Sequence, residues 1–113
     1  MLQRRKSEEF FHQKPENLNC AQSVLRGFQQ ELNIPQSRID LFRAYGGGRT
    51  PDGTCGALYV ADMLLREQGK DSVSKEFEEK AGATACLNIR RAGKTSCMDC
   101  VKIADRLMEN SLN

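Results

Sequence analysis

At 113 residues, with 39% apolar side chains and no tryptophan, the chain suits one domain with a modest core. Its 17 basic and 15 acidic side chains are well mixed and leave a formal charge of +2, which excludes the strong basic excess of a nucleic-acid binder. No stretch offers the roughly 18 consecutive apolar residues of a membrane span. The N-terminal MLQRRKSEEFF lacks the apolar region of a signal peptide, so the expected location is the cytoplasm.

In chain order, Arg4, Arg5 and Lys6 are followed at once by Glu8 and Glu9, which reads as a solvated terminus. Residues 1–14 are set apart as a mobile N-terminal segment of a single 1–113 domain. His12, the only histidine, falls in that segment and reads as a surface residue. From Glu16 to Leu32 the residues Leu18, Ala21, Val24, Leu25, Phe28 and Leu32 recur at mostly helical spacing, and Asn33-Ile34-Pro35 stops the helix. Ser37 caps a shorter helix to Tyr45, ended by Gly46, Gly47 and Gly48. Pro51-Asp52-Gly53 signals a turn. Thr54 then caps a helix to Gln68, closed by Gly69. Asp71 or Ser72 opens a polar helix ended by Gly82, and ACLNIRRAGK is a short segment without a clear assignment. Ser96 caps a last helix to Asn110, with Cys97, Cys100, Val101, Ala104, Leu107 and Met108 in one stripe. No run alternates long enough to make a strand. The fold class is all-α, with about five helices.

Five cysteines in a reducing compartment do not read as a disulfide framework, and their odd number agrees. Clustered thiols there bind metal or do redox chemistry. Cys55 falls at a helix mouth, where unpaired amides and the helix dipole favour a thiolate. Gly53 and Gly56 flank it with little bulk, leaving room for a ligand or a second backbone. Cys97 and Cys100 form CMDC at a helix start, where the i, i+3 spacing lets two sulfurs share a metal or form a dithiol pair. Cys20 and Cys86 each read alone as structural. Asp52 and Asp62 form a carboxylate pair near Cys55, or are a turn aspartate and a solvated helix aspartate. Gly46-Gly47-Gly48-Arg49 lacks the Lys-Ser/Thr of a phosphate loop.

With these residues in hand, the chain resembles the C_GCAxxG_C_C family of redox-active proteins from about Asn19 to Leu107. NCAQSVL carries the first cysteine, Cys20, and GGGRTPDGTCGAL carries the motif residues Cys55, Gly56 and Ala57. ACLNI supplies Cys86, and CMDCVKIADRL supplies Cys97, leaving Cys100 as an extra thiol. The motif's last glycine falls on Val60, a departure that bears on helix packing there. The resemblance implies a helical domain with helix N-termini converging on a cysteine cluster. It also implies a redox or electron-transfer role, with Cys20, Cys55, Cys86 and Cys97 as ligands of a [2Fe–2S] iron–sulfur cluster and Gly53 and Gly56 beside it. The implied partner is a redox protein, with a homodimer left open. Two other readings stand beside this one. One is a thiol–disulfide protein cycling Cys97 and Cys100, and the other is a structural zinc site. The isolated positions of Cys20, Cys55 and Cys86 weigh against zinc.

Overall fold

The structure, a computed structural model, describes residues 4–112, so Met1–Gln3 of the N-terminal segment lie outside the described residues. It is helical throughout, and the described residues contain only two isolated β-bridges beside their helices. Seven α-helices form among the described residues, where the sequence predicts about five, because the first predicted helix divides and ACLNIRRAGK folds as a helix of its own.

The first helix starts at Cys20, later than the periodicity suggests. Asn17 adopts φ 50°, outside the helical region, and Asn19 then caps α1 (Cys20–Gly27) by accepting the Gln22 amide. Gln22 returns the bond through its own side chain, completing a capping box. The helix breaks at Phe28 and resumes as α2 (Gln29–Leu32). At the break the Arg4 guanidinium, distant in the chain, donates to the Gly27 carbonyl at 3.3 Å. Glycine is also the weakest non-proline helix former. Asn33, with φ 54°, ends α2.

Helix α3 (Gln36–Leu41) follows with Pro35, not Ser37, at the capping position, and continues into a 3₁₀ segment, Phe42–Gly48. That segment is pinned to the head of α1, where the Asn19 amide donates to the carbonyls of Phe42 and Arg43. A Cβ on Gly46 would lie 3.0 Å from the same amide nitrogen. This close approach is what the first of the loop's glycines permits.

Helices α4 (Gly56–Glu67), α5 (Ser74–Ala81), α6 (Cys86–Ala92) and α7 (Cys97–Leu112) complete the chain. Cys55, not Thr54, occupies the N-cap of α4. Ser96 caps α7 as the sequence predicts, its hydroxyl accepting the Asp99 amide. Asp62 accepts from the Val73 amide and from the Ser72 and Ser74 hydroxyls, so it anchors the start of α5. Asp52 accepts the Thr54 amide within its turn.

The core is the three-way packing of α1, α4 and α7, with α5 against α7. Val24, Leu25, Leu58, Val60, Leu64, Leu65, Val101 and Met108 are all buried there, with Phe28 and Phe77 filling the sides. Val60 therefore packs in the core where the family motif has glycine. The solvated reading of the terminus holds for Arg5, whose side chain is 66% exposed, but not for Arg4, at 10%. Arg4 makes a two-pronged ion pair with Asp105 at 2.8 Å and lies over the Phe28 ring at 4.0 Å. Phe10 and Phe11 are buried beside it. His12 is exposed, as predicted.

Candidate functional site

Four helix starts define one corner of the molecule. Cys20, Cys86 and Cys97 are the first residues of α1, α6 and α7, and Cys55 is the N-cap of α4. Cys20 is thus at a helix head, not inside a helix as the sequence periodicity suggests. Cys100 follows one turn into α7. All five cysteines line one cavity of about 120 Å³, together with Ile89, Arg90, Thr95 and Ser96. Cys20, Cys55 and Cys100 are buried, Cys86 is half-buried and Cys97 is exposed, so the cavity runs from the core to the surface. None of the five is in a disulfide.

The backbone fixes this assembly. The Cys55 amide donates to the Thr84 carbonyl at 2.8 Å, and the Cys86 amide donates to the Gly53 carbonyl at 3.0 Å. These bonds flank a bridge between Thr54 and Ala85. Residues thirty-one apart in the chain are thereby held side by side. Gly53 adopts φ 76°, in the region that favours glycine, and its carbonyl satisfies one of the unpaired amides at the head of α6. Gly56 serves a different end. A Cβ there would fall 2.8 Å from the Cys20 sulfur and 3.3 Å from the Ala21 methyl. The glycine of the CGA motif therefore lets α4 approach α1 closely enough to bring Cys20 beside Cys55. Both glycines support the thiols from outside the cavity lining.

Gly56→Ala sets two effects against each other. The helix gains about 1 kcal/mol of propensity, while overpacking costs about 1–3 kcal/mol. The clash is with a sulfur backed by a helix, so a net loss of about 1 kcal/mol is expected in urea unfolding, with Cys20 more reactive to thiol reagents. An equal or raised midpoint would show that Cys20 moves aside freely.

The sulfurs are close enough to act on one another's ionisation, Cys55 on Cys20 and Cys100 on Cys55. The Cys20 thiol is pushed well above its ordinary range, first by Cys55 and then by burial. The Cys55 thiol is pushed up to about 12, chiefly by Cys100 and burial, with Cys20 acting the other way. Cys55 is therefore not the thiolate that its place at a helix mouth predicts. Buried thiols crowded together oppose one another's ionisation more strongly than the helix end favours it. The backbone at Ala21 and Ala57 acts the other way on Cys20, and that at Leu58 on Cys55, each favouring the charged form. Cys86 is raised by burial, against a lowering from the Arg90 charge.

Sequence reasoning missed Arg90. It lies four residues after Cys86, one helical turn on, and that signal becomes readable only once ACLNIRRAGK is known to be a helix. Among the described residues, no group of three or more His, Cys, Asp or Glu side chains is arranged to hold a metal ion. No helix among them is long and apolar enough to cross a membrane.

Fold and site together define a small all-α protein built around a buried thiol cluster. The chain belongs to the C_GCAxxG_C_C family, described as "Putative redox-active protein (C_GCAxxG_C_C)", whose pattern matches residues 18–111. No curated protein and no solved structure matches it.

Proposed function

We propose that this protein is an electron carrier of the reducing cytoplasm, with an iron–sulfur cluster held by Cys20, Cys55, Cys86 and Cys97. The observation that carries this reading is the convergence of the four family cysteines, each at a helix start, on one cavity. Thiolates are the ligands such clusters take, and a bound cluster supplies one-electron transfer. The helix starts suit a centre carrying negative charge. Hydrogen bonds to ligand sulfurs are also a recognised means of setting potential.

The spread of the sulfurs bears on the choice of metal. A structural zinc needs all four sulfurs about 2.3 Å from one point. A polynuclear cluster distributes its ligands over different iron atoms, so its thiolates need not converge on one centre. A cavity lined by five thiols that runs from the buried Cys20 to the exposed Cys97 suits the second arrangement better. The position of Cys100 supports a second reading, a thiol–disulfide protein. It lies one turn from Cys97 on α7 and beside Cys55.

Anaerobic purification with iron, sulfide and zinc analysis and a visible spectrum on one sample tests these readings. Iron and acid-labile sulfide near stoichiometry, with charge-transfer bands that bleach on reduction, are expected. Zinc alone would make the site structural. Metal-free protein whose thiols titrate reversibly as a disulfide would transfer the function to Cys97 and Cys100.

A further inference from the structure

Helix α6 forms one wall of the cavity, through Cys86, Ile89 and Arg90. Ile89 anchors it, 4% exposed, while Leu87 stands 56% exposed. Arg90 and Arg91 follow Leu87 by three and four residues, spacings that share one helix face. The outward face of α6 is therefore a leucine flanked by two guanidinium groups, with Lys94 just past the C-cap Gly93. Arg90, Arg91 and Lys94 are all exposed. Among the described residues none of the three is within ion-pair distance of a carboxylate, whereas Arg4, Arg38 and Arg106 are all paired. The chain has no Asp or Glu from Gly82 to Met98. This face adjoins the cavity, since Arg90 and Cys86 both line it and the exposed Cys97 stands at its rim.

We propose that the Leu87, Arg90 and Arg91 face of α6, with Lys94, is the docking surface for an electron-transfer protein that presents an acidic patch. The proposal rests on the electron-carrier reading and adds the port and the charge of the partner. Redox encounters are among the smallest protein interfaces, below about 1,200 Å², so one helix face and its surroundings suffice. Unpaired cations around an exposed leucine steer and orient an acidic partner without holding it long. In the encounter one electron leaves the reduced centre and enters the partner, and no bond forms or breaks.

The test uses anaerobically loaded protein, with iron and sulfide measured on every sample, and two small oxidants of opposite charge. Reduced protein passes one electron to hexacyanoferrate(III) or to hexaammineruthenium(III), followed by stopped flow. Arg90→Gln, Arg91→Gln and Lys94→Gln together remove three charges at the rim. Arg66→Gln, Lys70→Gln and Lys75→Gln remove the same number around the α4–α5 connection. At low ionic strength the α6 variant is expected to lose about ten-fold in rate with the anionic oxidant, and the control less than about two-fold. The cationic oxidant reacts no more slowly with the α6 variant, and high salt closes the gap. Equal losses in the two variants would overturn the docking surface and leave the carrier reading standing. A wild type that loads no iron and sulfide would overturn the carrier reading. On that metal-free protein the rim is read from the rate at which Cys97 attacks anionic dithiobis(nitrobenzoate) relative to neutral dithiodipyridine. An unchanged ratio in the α6 variant would overturn the surface as well.

Discussion

Cys55→Ser is expected to abolish iron and sulfide loading while leaving the helical circular dichroism unchanged. Cys55 shares the cavity with Cys20 and Cys100 and is buried like them. Its amide holds the Thr84 carbonyl, a bond that serine retains, so the loop should stay in place. Serine replaces a thiolate donor with a hydroxyl that does not ionise in this range. Supporting groups around a metal already cost about 10–100-fold in affinity when removed, and a ligand costs more. Cys97→Ser should likewise remove the iron, and Cys100→Ser should leave it. The comparison is sharp because the structure places Cys100 deeper than Cys97. Iron lost from Cys100→Ser but kept by Cys97→Ser would exchange the two in the ligand set. Iron retained by Cys55→Ser would remove the basis for the cluster.

The second large effect is on stability. Asp105 is fully buried on α7 and accepts bonds from Arg4, from the amide and hydroxyl of Ser7, and from Arg106. It ties the N-terminal residues to the helix that carries Cys97 and Cys100. Burial alone would raise this carboxyl, but the Arg4 and Ser7 hydrogen bonds outweigh it and hold it below the usual range. Asp105→Asn keeps the shape and removes the charge, leaving the Arg4 guanidinium facing only Glu109 and Glu31. Removing one partner of a buried pair costs about 3 kcal/mol or more. The low end is expected here because Glu109 remains. Since the folded group ionises below the unfolded one, its contribution is complete above the ordinary carboxylate pKa of about 4. It is lost as pH falls through the lower folded value. Denaturant midpoints should therefore separate wild type and variant widely at neutral pH and draw together in acid. A separation that did not depend on pH would mean that packing, not charge, is what Asp105 supplies.

The C-terminal stripe from Cys97 to Met108 was legible because apolar residues at helical spacing needed one buried face, and α7 supplies it, with Cys97 alone exposed. The stop at Asn33 and the closures at Gly69 and Gly82 were legible because few other residues tolerate a positive φ. The break at Phe28 was not, because the guanidinium that takes up the Gly27 carbonyl there comes from twenty-three residues before that glycine. Residue type and family spacing alone nominated the four cysteines and assigned Cys100 as the extra thiol. Only the tertiary structure decided that Cys20 heads a helix, that Cys100 shares the cavity and that Arg90 stands at its mouth. The reason is physical. Helix periodicity is written in neighbours three and four residues apart. The meeting of four helix starts depends on the packing of α1, α4 and α7, and on which residues fill the room left at Gly56, Cys20 and Ala21, which no local pattern records.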